Sequence, residues 1–128
     1  MDDLIAFLRA RLDEDERIAK TADPGPWHAD GGGIHKGHTT DEVVDYAGDN
    51  AEHIARHDPA RVLAEVAAKR LIIELHQPDH KQRDCGTCMS RKIGYQEDWI
   101  EEEWPCKTLC LLALPYADHP DYREEWRP

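Results

Sequence analysis

The chain has 128 residues, enough for one modest hydrophobic core and too few for two. Its formal net charge of −11 disfavours direct binding to nucleic acid, because that affinity comes largely from Lys and Arg neutralising phosphates. No run of about 18 apolar residues occurs and the first residues are acidic, so neither a membrane span nor a secretory signal is indicated. We therefore expect a cytoplasmic protein.

The first segment, 1–22, is predicted to hold an amphipathic helix over residues 2–20. Its apolar side chains recur at spacings of three and four, while acidic residues fill the opposite side. The apolar set is Leu4, Ile5, Leu8 and Leu12. The helix cannot continue through Asp23-Pro24-Gly25-Pro26, because a proline lacks the amide hydrogen and restricts the residue before it.

Segment 24–48 is predicted to form a short β hairpin or meander. Short apolar stretches, Trp27-His28-Ala29 and Val43-Val44-Asp45-Tyr46, lie on either side of Asp30-Gly31-Gly32-Gly33. The glycines resemble a phosphate-binding loop, but no GK[ST] follows them. They therefore indicate a turn.

Two histidines, His53 and His57, follow one helical turn apart on a short predicted helix from Asn50 to Arg56. That spacing can bind a metal, but the glutamate of H-E-x-x-H is absent between them. We interpret this region as a boundary, because Asp58 can cap the next helix and Pro59 suits its first turn.

The central helix, segment 58–77, is predicted from Pro59 to about Gln77. Val62, Val66 and Ile73 lie on its inner face, and His76 continues the same stripe. An imidazole at the inner end of a helix is a plausible metal ligand. The alternative is a half-buried histidine that is satisfied by a carbonyl.

The four cysteines indicate a zinc site. Cys85 and Cys88 form a C-x2-C pair, and Cys106 and Cys110 follow after 17 residues, one helical turn apart. Tetrahedral Zn²⁺ needs four such ligands, and in a reducing compartment paired cysteines more often bind metal than form disulfides. Spacing alone suggests an all-cysteine set. Cys110 lies in an apolar run and is also compatible with core packing, so His76 and His80 stay open as the fourth ligand.

The last segment, 78–128, combines this zinc knuckle with C-terminal helices. A polar stretch leads into the acidic run from Glu97 to Trp104, whose tryptophans either pin the chain to the core or form a binding surface. Helices are predicted from Pro105 to about Leu114, with Cys106 in the first turn, and near Pro120 to Trp126. The helix that carries Cys110 is expected to be buried on much of its circumference.

With these segments in place, the chain resembles a family of uncharacterised small proteins, common in actinomycetes and their phages. The matching stretches are 3–15, Pro24-Gly25-Pro26-Trp27, 53–63 and 113–126, and the last two overlap the motifs DPARVLAEVAAKR (58–70) and LALPYADHPDYREEW (112–126). The resemblance implies a histidine that ends the long helix, a two-cysteine knuckle and a Trp-Pro-Cys helix start. In this chain these are His76, Cys85, Cys88 and Cys106. It also implies that Cys110 is not a ligand.

We therefore expect a small single domain, 1–128, of the α+β class, mostly helical, with a zinc-stabilised C-terminal half. The leading hypothesis is a non-enzymatic domain with a structural site of three cysteines and one histidine. An acidic adaptor that binds a basic protein through Glu97–Trp104 is the alternative. A zinc hydrolase, or a thiol enzyme that uses Cys106, is a third hypothesis, without a recognisable substrate pocket.

Overall fold

The computed structural model describes residues 3–81, 84–88, 90–91, 99–100 and 102–128, with 90–91 and 99–100 described for the backbone alone. The helices are α1 (Asp3–Thr21), α2 (Ala51–Arg56), α3 (Pro59–Leu75) and α4 (Lys107–Ala113). The strands are β1 (Trp27–Asp30), β2 (Gly33–Lys36), β3 (Glu42–Val44), β4 (Ser90–Arg91) and β5 (Trp99–Ile100). Short 3₁₀ turns occupy Gly48–Asn50, Leu114–Tyr116 and Glu124–Trp126. The predicted α+β, mostly helical class is confirmed.

Helix α1 confirms the amphipathic prediction. Leu4, Leu8 and Leu12 are each 1% exposed, as their spacing requires for one buried face. The helix ends at Thr21, before the first proline. Its boundaries thus follow from the apolar period and from the chemistry of the Asp23–Pro26 stretch.

The predicted hairpin is a three-stranded antiparallel meander, β1-β2-β3. Gly31 and Gly32 link the first two strands at φ of 60° and 82°, a conformation that glycine adopts without the strain of a Cβ. Ile34 of β2 is 0% exposed and packs with Ala51 and Ala55 of α2. The glycine run is therefore a turn, as the sequence predicts.

Asp58 fixes the start of α3. Its Oδ1 accepts a hydrogen bond from the amide of Arg61 at 2.8 Å, and its Oδ2 accepts one from the amide of Trp27 at 2.9 Å. The carboxylate is 7% exposed, so it caps the helix and also ties it to the first strand. At the other end, α3 ends at Leu75, two residues before the predicted Gln77.

The C-terminal half corrects four details of the sequence prediction. Strands β4 and β5, which pair antiparallel, were not expected, because two-residue strands carry no readable alternation. Helix α4 begins at Lys107, later than the predicted Pro105, and Leu111 is 52% exposed, so only one face is buried. Near the C-terminus, the predicted helix from Pro120 is a 3₁₀ turn, Glu124–Trp126.

Backbone contacts group the chain into two compact units. One contains the start of α1, up to Arg11, together with the chain from Lys69 onwards, and the other contains Leu12–Ala68. The division of 1–128 into the four segments given above stays a prediction. Among the described residues, no helix combines the length and apolarity that crossing a bilayer requires.

Candidate metal centre

Four side chains from three parts of the chain converge in the C-terminal half. His76 follows the last residue of α3, Cys85 and Cys88 lie in the loop beyond it, and Cys106 directly precedes α4. One ligand atom from each lies within 4.8 Å of all the others, so the group could hold a metal ion. These are the four residues that the sequence and the resemblance favour.

The distances match tetrahedral coordination. His76 Nδ1 lies 3.6 Å from Cys85 Sγ, 3.2 Å from Cys88 Sγ and 3.5 Å from Cys106 Sγ. Zinc bonds of about 2.3 Å to sulfur and about 2.0 Å to nitrogen place the sulfur and nitrogen atoms about 3.5 Å apart at a tetrahedral angle. Hydrogen bonding alone does not explain three sulfurs around this nitrogen, because Nδ1 carries only one hydrogen or one lone pair.

Backbone hydrogen bonds hold the Cys85–Cys88 loop against the end of α3. The amide of Gly86 donates to the carbonyl of Gln77 at 3.1 Å, and Pro78 and Cys85 form an antiparallel bridge. The amide of Cys85 donates to the carbonyl of Glu102 at 2.9 Å. In addition, Thr87 Oγ1 donates to the carbonyl of Leu75. The loop is therefore fixed by its main chain, which leaves the thiols to point at the imidazole.

Trp104 supports the histidine from behind. Its side chain is 4% exposed, and its indole Nε1 donates to the carbonyl of His76 at 3.3 Å. This carbonyl follows the last turn of α3, so no amide of the helix can donate a hydrogen bond to it. The prediction that Trp104 pins the chain to the core is thus confirmed. The side chain of Trp99 lies outside the described residues.

Cys106 is the N-cap of α4, which corrects its predicted place in the first turn. Its φ of −71° and ψ of 160° are extended, and the helix begins at the next residue. The carboxylate of Glu102 accepts a hydrogen bond from the Lys107 amide at 2.6 Å, so an acidic side chain pairs with one of the first-turn amides that have no partner within the helix. The Cys106 sulfur is therefore not needed to accept the Lys107 amide and is available to a metal ion.

Because the thiols are buried, their charged thiolate form needs a nearby cation to be stable. Cys85 and Cys106 are 0% exposed, while Cys88 is partly exposed. Burial, reinforced by the neighbouring thiols of Cys106 and Cys85, raises the pKa of Cys88 to about 12. Burial also raises the pKa of Cys106, against the backbone hydrogen bond of Leu109, which lowers it. A coordinated metal ion reverses this preference, because its charge stabilises thiolate.

The remaining candidates lie outside the group. Cys110 Sγ donates to the carbonyl of Pro105 at 3.9 Å, and His80 is exposed and contributes no atom to the cluster. The rings of His53 and His57 stack at 4.5 Å, and His57 Nδ1 bonds to the carbonyl of His53. Within the described residues, no other group of three or more such side chains could hold a metal.

Two supporting residues were missed by the sequence analysis. Glu102 was assigned to an acidic surface, and Thr108, whose Oγ1 lies 3.9 Å from Cys88 Sγ, was not considered. The signal for Glu102 was its position shortly before a helix start, where carboxylates accept free amides. Thr108 has no comparable sequence signal, because its role depends on how α4 lies against the loop.

Comparison with known proteins places the chain in a family without assigning it an activity. No curated protein and no solved structure matches it. The model of one family, described as a family of unknown function (DUF6221), matches residues 1–128. Because this match covers the whole chain, the protein belongs to that family of unknown function.

Proposed function

We propose that this protein is a zinc-binding domain whose ion has a structural role, with His76, Cys85, Cys88 and Cys106 as its four ligands. The observation that carries the proposal is the set of three distances from His76 Nδ1 to sulfur, 3.2–3.6 Å. The resemblance of the sequence to an uncharacterised family implies the same four residues. The agreement supports a site of three cysteines and one histidine.

The donor set favours zinc over other common ions. Calcium and magnesium prefer oxygen ligands, and this group offers three sulfurs and one nitrogen. Thiolates with tetrahedral geometry are typical of zinc sites. Reduced cysteines of this kind also fit a cytoplasmic location, which we include in the proposal.

The proposed ion ties together parts of the chain that hydrogen bonds also link. The end of α3, the loop 84–88 and the start of α4 all meet at the four ligands. Zinc binding to comparable structural sites contributes about 10–16 kcal/mol, more than the whole stability of many small domains. The ion would therefore decide whether this half of the chain folds.

A structural role also follows from the number of ligands. Four protein atoms complete a tetrahedron, whereas catalytic zinc keeps one position for water or substrate. Two of the three sulfurs belong to cysteines that are 0% exposed. We accordingly propose a non-enzymatic protein, and zinc-dependent turnover of any substrate would argue against this part of the proposal.

The test is the metal content of freshly purified protein, measured by mass spectrometry beside three single variants. We expect one zinc per chain in the wild type, loss of zinc in His76→Ala and Cys106→Ser, and retention in Cys110→Ser. Cys110→Ser is the matched control, because it removes a sulfur one turn from Cys106 without touching the cluster. Wild-type protein without any metal would refute the proposal.

An acidic adaptor for a basic protein of a bacterium or its phage stays an alternative prediction, motivated by the net charge of −11. Two residues of the Glu97–Trp104 run already have local roles, since Glu102 caps α4 and Trp104 is buried. Residues 97, 98 and 101 lie outside the described residues. A partner whose binding is lost in Glu101→Lys but kept in Asp45→Lys would favour this alternative.

A further inference from the structure

The three ligand cysteines differ in their access to solvent. Cys85 and Cys106 are 0% exposed, whereas Cys88 is partly exposed. On the side of α4, its sulfur lies 3.9 Å from the hydroxyl of Thr108. A small solute can therefore reach the ligand sphere through Cys88 more readily than through the other two sulfurs.

We propose that Cys88 is an oxidation site, through which hydrogen peroxide or an organic hydroperoxide removes the metal from this centre. The inference rests on the proposed zinc site. A zinc-bound cysteine is a thiolate, which is the form of sulfur that peroxides oxidise. An exposed thiolate beside a second thiol is the usual arrangement of cysteines that respond to peroxide.

The first step forms a sulfenic acid on Cys88. Its thiolate attacks one peroxide oxygen, the sulfur–oxygen bond forms and the oxygen–oxygen bond breaks. The leaving hydroxide or alkoxide takes a proton from water and departs as water or alcohol. Two electrons pass from sulfur to the peroxide in this step.

The second step joins Cys88 to Cys85. The Cys85 thiolate attacks the sulfenic sulfur, a disulfide forms, and hydroxide leaves and is protonated to water. In total, two thiolates, one hydroperoxide and two protons give one disulfide, one alcohol or water, and one further water. No other oxidant or reductant is needed.

Cys85 is the favoured partner because it shares a short loop with Cys88. Only Gly86 and Thr87 separate the two cysteines, and their sulfurs already lie within 4.8 Å of each other, so rotation of the two side chains brings them together while the loop keeps its backbone hydrogen bonds. Cys106 also lies within 4.8 Å, but it is the N-cap of α4, and its carbonyl accepts the amide of Cys110 at 3.2 Å. Moving it would disturb the first turn of the helix.

Disulfide formation removes two of the four ligands. His76 and Cys106 alone do not hold zinc in a closed site, so the ion leaves. The connection between the end of α3 and the start of α4 is lost with it. The modification would thus convert an oxidant signal into a loosening of the C-terminal half.

The experiment treats zinc-loaded, full-length protein with hydrogen peroxide in the presence of a chromogenic zinc chelator. We expect one zinc released per chain, with one Cys85–Cys88 disulfide found by peptide mass spectrometry. Cys110→Ser is the matched control and should release zinc at the wild-type rate. Cys88→His, which keeps a ligand but removes the sulfur, should release zinc at least about tenfold more slowly.

Each outcome separates this inference from the zinc proposal. Protein that holds no zinc before oxidation refutes the proposed function, whereas zinc that stays bound in excess peroxide refutes only the oxidation site. Oxidation of Cys110 with retention of zinc would also overturn it. If Cys88→His fails to bind zinc, a sulfenic-acid trap on the wild type decides the question, because the label must appear on Cys88.

Discussion

At the scale of single residues, the candidate site depends on His76. Its Nδ1 faces three sulfurs at nearly equal distances, and its own carbonyl is held by the indole of Trp104. The sequence predicted this residue from a helical stripe that runs through Val62, Val66 and Ile73. Spacing alone could not choose between His76, His80 and Cys110, because Pro78 leaves the direction of the following chain undetermined.

Replacing His76 should weaken zinc binding far more than replacing His80, the next histidine along the chain. We expect His76→Ala to reduce affinity by more than the roughly 10–100-fold that residues behind metal ligands typically contribute. His80→Ala is the control and should bind zinc like the wild type, since His80 is exposed and outside the cluster. Competition with a chelator of known affinity measures both. Equal losses in the two variants would contradict the assignment.

Among Cys85, Cys106 and Cys110, only Cys110 should react with iodoacetamide when zinc is bound. Mass spectrometry should find an adduct on Cys110 but none on Cys85 or Cys106 of zinc-loaded protein, and adducts on all four cysteines after unfolding with a chelator. Burial, followed by the nearby charge of Glu102, raises the pKa of this thiol above its ordinary value. The neutral thiol therefore dominates near pH 7, and the rate of alkylation should rise about tenfold per pH unit until the pH approaches that pKa. A rate that levels off near neutral pH would show that the pKa is not raised.

At the scale of elements, apolar periodicity predicted α1 and α3 well, because 19 and 17 residues repeat the pattern several times. Strands β4 and β5 could not be predicted, since two residues show no alternation. The start of α4 was placed too early because Pro105 resembles a first-turn proline. Pairing of the Lys107 amide with the Glu102 carboxylate depends on tertiary folding, which local sequence does not reveal.

Asp58 offers a test of the cap that joins α3 to β1. We expect Asp58→Ala to lower the free energy of unfolding by about 1–3 kcal/mol, because two amide donors lose their acceptor. Asp58→Asn should cost less, because its side-chain oxygen can still accept one of them. Asp45→Ala removes the same charge from an exposed position and should change stability by less than about 0.5 kcal/mol. Denaturant unfolding measures all three, and equal effects of Asp58→Ala and Asp45→Ala would contradict the role of the cap.

At the scale of the whole molecule, each of the two units has buried apolar side chains, and the unit with the candidate site would hold an ion as well. The unit that contains the meander has an apolar cluster of Ile34, Ala51 and Ala55, with Asp58 at the start of α3. The unit that contains the candidate site includes the loop 84–88, whose described hydrogen bonds are mostly to main-chain atoms. The proposed ion would make the largest single contribution to the stability of this unit.

Chelation should therefore lower the melting temperature of the protein. We expect a strong zinc chelator to lower the melting temperature by about 10 °C or more. A loss of about 1 kcal/mol of stability lowers the melting temperature of a small domain by several degrees, and a structural zinc ion would contribute several times that amount. Re-addition of zinc should restore the midpoint, as measured by circular dichroism. Wild-type protein that loses its zinc and melts at an unchanged temperature would show that the ion is not structural.

The ligand set of the proposed zinc site is tested most directly by X-ray absorption spectroscopy at the zinc edge on the purified, zinc-loaded chain. Three cysteines and one histidine predict three sulfur neighbours at about 2.3 Å and one nitrogen at about 2.0 Å, with the imidazole scattering typical of histidine. The spectrum of His76→Cys should show four sulfur neighbours instead. Four sulfur neighbours in the wild type would mean that Cys110, not His76, is the fourth ligand. Two sulfurs with two light atoms would mean an open or different site. Either result would contradict a site of three cysteines and one histidine.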